Sequence, residues 1–172
     1  MTHEPEASQV RWLLLDADGT LTDGGMFVHG HGSELKRFSV RDGFGLRAWM
    51  STGREVAVIT GRGEMAVRHR LADLGVRMLV SASGPKGPVV ESILARCRVA
   101  AEQAAAMGDD LPDLPMLHRV GYPMAVGDAV PEVQAAAAWV AKARGGHGAV
   151  REAVEHLLRA AGAWDAVVES HR

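Results

Sequence analysis

Short apolar runs alternate with longer amphipathic stretches along the chain. Val10–Leu15 is apolar apart from Arg11, and Glu55–Thr60 is apolar between its two ends. Runs without a polar face suit strands buried in a parallel sheet, whereas strict alternation suits a half-exposed antiparallel one. Val76–Val80, Ala104–Met107, Met124–Val126 and Trp139–Ala143 read as four further strands. Of these, the alanine-rich run is the weakest strand former. Helical stretches lie between them: Asp42 to about Thr52, with Asp42 as N-cap and Gly53 as stop; Gly63–Leu74, stopped by Gly75; Lys86 to about Arg98; and Ala149–Ala160. Capping residues at the starts and glycines at the stops support these bounds, and Pro88 is tolerated in a first turn. Strands alternating with helices through short loops predict an α/β fold. Its form is a three-layer, Rossmann-like parallel sheet with helices on both faces. No repeat or linker divides the chain, so residues 1–172 read as a single domain, with residues 1–9 frayed.

One stretch breaks the rhythm. Met26–Val28 and Leu35–Val40 read as two short strands around Gly30-His31-Gly32, a β-hairpin spanning residues 26–40. A lone hairpin has no core of its own, so it must pack on the domain or on another subunit.

Composition narrows the picture by exclusion. A hydrophobic content of 47% and a net charge of −2 point away from disorder, from nucleic acid and from anionic membranes. No apolar run is long enough to span a bilayer, and Met1–Val10 lacks the charged-then-apolar order of a signal peptide. A cytoplasmic protein is therefore expected. The single cysteine, Cys97, excludes an internal disulfide and reads as helix packing.

The chemistry concentrates at strand ends. Leu13-Leu14-Leu15 runs directly into Asp16-Ala17-Asp18-Gly19-Thr20, two carboxylates at the end of a core strand. Burying unpaired carboxylates is costly, and a metal ion is one reason to do so. In parallel sheets ligands bind outside the carboxyl ends of the strands. The other ends supply Thr60, then Gly108-Asp109-Asp110 with Asp113, while Lys86 opens a helix. Carboxylates without a cysteine or histidine set favour magnesium over zinc. Thr60 and Lys86 could neutralise a phosphate that shares the metal's shell, and an aspartate can act as nucleophile through an aspartyl-phosphate. Each residue also has a structural use. Thr60 can end a strand, Lys86 can be a solvated helix-terminal charge, and the later aspartates can cap a helix near Pro112. Four such coincidences in order favour the functional reading. His29 and His31 sit in the proposed turn and carry no metal role.

This ordered set resembles the four motifs of the haloacid-dehalogenase-like phosphatases, across about Leu13 to Leu158. Leu21-Thr22-Asp23-Gly24, Glu34-Leu35-Lys36, Val40-Arg41-Asp42-Gly43 and Gly145-Gly146-His147-Gly148-Ala149-Val150-Arg151-Glu152 resemble the capless 3-deoxy-D-manno-octulosonate 8-phosphate (KDO 8-phosphate) phosphatases. The resemblance implies Asp16 as nucleophile and Asp18 as the acid and base. It implies Mg2+ on the Asp16 carboxylate, the Asp18 carbonyl and Asp109, with Thr60 and Lys86 holding the phosphoryl group. Asp110 and Asp113 would orient Lys86 or a metal-bound water. It further implies a homotetramer associating through the hairpins, a neighbour helping to close each site. Arg62 and Asp73 stand where the branch acting on nine-carbon sugar acid 9-phosphates typically has an acidic residue and a lysine. They favour the eight-carbon substrate, and Arg62 suits a substrate carboxylate. Thr20 and His147 depart from the valine and arginine common in the KDO group, which leaves the sugar open. Arg151 serves either the substrate or the last helix, and the helix is favoured.

The alternatives are a phosphatase for a nine-carbon sugar acid 9-phosphate and a non-catalytic oligomerisation module of the same fold. A phospho-acceptor receiver is disfavoured because Val76–Val80 offers no acceptor aspartate. A mutase is disfavoured because it needs a cap.

Overall fold

A computed structural model describes residues 6–62 and 65–172. Strand β1 (Trp12–Leu15) is followed by the short β2 (Phe27–Val28) and β3 (Glu34–Leu35). Then come β4 (Glu55–Thr60), β5 (Met78–Ser81), β6 (Ala104–Gly108), β7 (Tyr122–Ala125) and β8 (Trp139–Val140). The main sheet has the order β5-β4-β1-β6-β7-β8, and every pairing in it is parallel. From β1 the chain winds outward to β4 and β5, then returns to β6 on the other side of β1. That reversal opens a crevice at the carboxyl end of the central strands, the usual place for a ligand in such sheets. Leu15 pairs with Val58 on one side and Met107 on the other, so the end of β1 lies close to the ends of β4 (Thr60) and β6 (Gly108).

The helices are α1 (Val40–Ser51), α2 (Met65–Leu74), α3 (Lys86–Cys97), α4 (Leu114–Leu117), α5 (Pro131–Ala136), α6 (Ala149–Ala160) and α7 (Trp164–Glu169). Packing of α1 on α6 and of α3 on α4 builds the layers against the sheet, as right-handed crossovers in opposite winding directions require. Helix α6 buries Ala149, Val150, Ala153, Val154, Leu157 and Leu158, a stripe spaced three and four residues apart. Leu13, Leu14, Leu15 and Ala104 to Met107 are fully buried. The alanines of β6 form a strand despite their poor propensity because β1 and β7 pair with it from both sides. Among the described residues no helix is long and apolar enough to cross a membrane.

Several sequence expectations shift. The second hairpin strand ends at Leu35 rather than Val40, and Phe38 makes an isolated antiparallel bridge with Thr22. Helix α1 already starts at Val40, because Ser39 rather than Asp42 caps it by accepting from the Asp42 amide. Asp42 lies in the first turn of α1 and is buried. Its carboxylate accepts from the Gly148 amide at 3.1 Å and the Arg151 amide at 2.8 Å, so it caps α6 instead. The sequence spacing could not reveal a cap that crosses to another helix. Ala7–Gln9 forms a 3-10 turn where fraying was expected, while residues 1–5 and the expected helix start at Gly63 lie outside the described residues.

Candidate active site

The first strand ends in a ladder bond and a turn. The Asp16 amide donates to the Met107 carbonyl at 3.1 Å, which fixes Asp16 at the β1–β6 junction. Residues Ala17–Leu21 then turn sharply through Gly19, whose φ of 96° lies in the left-handed region that glycine tolerates best. A Cβ at Gly19 would also run into the Asp109 carboxylate. Glycine is required there for both reasons.

Asp109 follows β6 directly. Carboxylate oxygens of Asp16, Asp109 and Asp113 all lie within 4.8 Å of one another. Lys86, at the start of α3, is 6% exposed and reaches into this group. Its ammonium is paired with Asp16 and sits 2.6 Å from an Asp113 oxygen. The other Asp113 oxygen accepts from the Asp109 and Asp110 amides at 2.9 and 3.3 Å. Asp113 therefore orients both Lys86 and the Asp109 loop. Asp110 stays at the surface and accepts from the Leu111 amide.

Electrostatics follow from this crowding. Burial and the neighbouring Asp113 carboxylate push Asp16 up to about 6, against the pull of Lys86. Burial, with Asp16 and Asp113 close by, pushes Asp109 up to about 8. Burial alone would lower the Lys86 ammonium, but Asp16 and Asp113 overcome it and raise it above the usual lysine value. Three carboxylates against one ammonium leave the group short of positive charge. An all-oxygen donor set with that deficit fits a hard divalent cation.

A pH dependence follows. Because Asp16 and Asp109 are raised, the metal-free folded state binds more protons than the unfolded chain between about pH 4 and pH 8. The contribution of this cluster to stability is present at low pH and is lost as pH rises through that window. We expect the melting temperature of metal-free protein to fall between pH 5 and pH 8. A saturating divalent cation should restore it, by an increment that grows with pH. An increment independent of pH would contradict a metal bound by these carboxylates.

The remaining predicted residues make contacts of their own. Asp18 is not among the three clustered carboxylates; its side chain is paired with Lys36, whose own side chain is fully buried. Thr60 is buried at the end of β4, and its hydroxyl donates to the Arg62 carbonyl at 3.0 Å and accepts from the Arg62 amide at 3.1 Å. Arg62 is exposed, and its guanidinium lies 3.2 Å from Met26 Sδ at the entry to the hairpin. Arg151 bonds Glu155 and lies over the rings of Phe44 and Trp164 at 4.7 and 4.9 Å, so it belongs to the helix packing. His29 and His31 lie with their rings tilted at 39° and 5.2 Å apart in the exposed loop between β2 and β3.

Lys36 was the residue that sequence reasoning passed over. It was visible only as part of the Glu34-Leu35-Lys36 triplet, and no periodicity connects it with Asp18. A second glycine contact joins distant segments at the same place: a Cβ on Gly145 would collide with the Gly19 carbonyl, and the Gly146 amide donates to the Thr20 carbonyl at 3.0 Å. The loop before α6 is thereby seated on the turn after β1. A cavity of about 620 Å³ lined by Trp12, Arg77, Ile93 and Cys97 includes the amino ends of β1 and β4, away from the carboxylates.

A parallel sheet with paired aspartates after its central strand, a buried lysine and a third acidic strand end defines a haloacid dehalogenase-like hydrolase. The family model of that description matches residues 78–152. The chain is 41% identical to the 3-deoxy-D-manno-octulosonate 8-phosphate phosphatase KdsC of Escherichia coli K12 over 160 residues, 93% of this chain and 85% of the relative. The chain belongs to the 3-deoxy-D-manno-octulosonate 8-phosphate phosphatase family within the haloacid dehalogenase-like hydrolases. Its structure is similar to that of the Moraxella catarrhalis phosphatase in complex with magnesium, phosphate and KDO. That match has a TM-score of 0.93 at 31% identity and covers 96% of this chain and 95% of that one. The cobalt-bound Haemophilus influenzae phosphatase matches with a TM-score of 0.87 at 36% identity, over 91% of each chain.

Proposed function

We propose that this chain is a magnesium-dependent phosphatase that hydrolyses KDO 8-phosphate to KDO and phosphate, acting in the cytoplasm as a single-domain subunit. The observation that carries the reading is the convergence of Asp16, Asp109 and Asp113 on the buried ammonium of Lys86, with Asp18 two residues from Asp16 and engaged elsewhere. The Asp16 and Asp109 carboxylates and the Asp18 carbonyl would hold the magnesium ion. When bound, the ion supplies positive charge for the phosphoryl oxygens and keeps Asp16 and Asp109 ionised.

The chain's own groups carry the steps. Asp16 attacks phosphorus, and the bond from phosphorus to the sugar oxygen breaks as the aspartyl-phosphate forms. Asp18, whose Oδ1 is held by Lys36, gives a proton from Oδ2 to the departing alkoxide. It then takes a proton from the water that attacks the aspartyl-phosphate, releasing phosphate and restoring Asp16. Lys86 and the Thr60 hydroxyl hold the transferring group, Lys86 being oriented by Asp113. Arg62 faces the sugar acid.

Turnover, rather than retention of phosphate, is the expected outcome. Phosphate release should stop on chelation and return with magnesium. A protein that takes up one phosphate and keeps it would overturn the assignment. The hairpin favours a homotetramer, because Phe27, Val28 and Leu35 are 72%, 64% and 70% exposed on a two-stranded unit. Sedimentation should report four times the chain mass, and a monomer would remove that part of the reading.

A further inference from the structure

The segment that delivers Lys36 to Asp18 continues into Arg37, whose guanidinium rests on the loop seated against the turn after β1. We propose that Arg37 is a specificity-determining residue that binds the substrate's carboxylate, remote from the phosphate. The proposal rests on the sugar-acid reading above.

Three contacts hold the guanidinium, and all use one nitrogen. Nη1 donates to the Gly146 carbonyl at 3.1 Å, lies 3.1 Å from His147 Nε2, and lies 3.4 Å from an Asp23 oxygen. Nη2 and Nε make no hydrogen bond among the described residues, and the side chain is 52% exposed. A guanidinium anchored through one corner keeps its other edge as a planar two-donor fork, the geometry that matches a carboxylate.

The anchor is itself fixed. His147 Nδ1 lies 2.8 Å from the Gly145 carbonyl, which can only accept, so Nδ1 carries the proton. His147 Nε2 then faces Arg37 Nη1 as the acceptor. Gly145 and Gly146 rest on Gly19 and Thr20, so the fork is positioned relative to the turn that carries Asp18. The ion pair with Asp23 is long and exposed, and such pairs hold an arginine weakly. Lys36 is committed to Asp18, and Arg62 reaches a thioether, a weak acceptor. Among the described residues, Arg37 is thus a preoriented cation beside the turn that carries Asp18.

Steady-state kinetics of wild type, Arg37→Gln, Arg37→Lys and Arg62→Gln on KDO 8-phosphate and on a neutral pentose 5-phosphate test this. Arg37→Gln should raise KM for the sugar acid by about tenfold or more with kcat within about twofold, while the neutral ester reports an intact site. Arg37→Lys should recover part of the loss. Equal losses on both esters would make Arg37 a structural staple and overturn the proposal. An unchanged KM for the sugar acid, or a selective loss confined to Arg62→Gln, would overturn it too. If wild type itself fails to prefer the sugar acid, the functional reading fails first, before any variant is compared.

Discussion

Asp16→Asn is expected to abolish phosphate release, lowering kcat/KM on the order of 10⁴-fold or more, while the protein stays folded. The amide cannot attack phosphorus, and neither Asp113 nor Asp18 is free to replace it. Asp113 is committed to Lys86 and to two backbone amides, and Asp18 is paired with Lys36. Stability should move the other way from activity. Asp16 is pushed up to about 6 by burial and by Asp113, so removing its charge relieves part of the repulsion in the metal-free protein. Phosphate release and thermal melting on the same sample check both halves. Hydrolysis near the wild-type rate would remove Asp16 as the nucleophile.

Lys86→Met is expected to damage activity and stability together. Lys86 is the buried cation shared by Asp16 and Asp113, and deleting it leaves two buried carboxylates without their partner. Breaking such a group by removing one member costs roughly 3–5 kcal/mol, readable as a shifted urea midpoint. Loss of a cation aimed at the transferring phosphoryl group should lower kcat on the order of 10²- to 10³-fold. Magnesium should restore part of the stability and none of the lost rate. A variant that melts like wild type would show that the Asp16 and Asp113 carboxylates do not depend on Lys86.

The contrast between these variants follows from what could be read in the sequence. Asp16, Thr60 and Asp109 were legible because strand ends in a parallel sheet form one rim, and Lys86 because it opens the helix that follows β5. Hydrophobic pattern located the six main strands, and in the central β1, β4 and β6 burial on both faces leaves little choice of side chain. The links between segments were less legible. Asp42 looks like the cap of its own helix, yet it caps α6 more than a hundred positions away, and Ser39 takes the nearer role. The second hairpin strand was drawn too long because Phe38 and Val40 are apolar, although Phe38 only bridges to Thr22 and Val40 begins α1. Lys36 and Arg37 follow that strand, so their roles depend on where the chain leaves the hairpin. Short-range pattern carries no information on that path.

The most direct measurement is magnesium-dependent phosphate release compared across KDO 8-phosphate, nine-carbon sugar acid 9-phosphates and simple hexose phosphates. The highest kcat/KM is expected on KDO 8-phosphate, with no release from any ester once the metal is chelated. A strong preference for a hexose phosphate would contradict it.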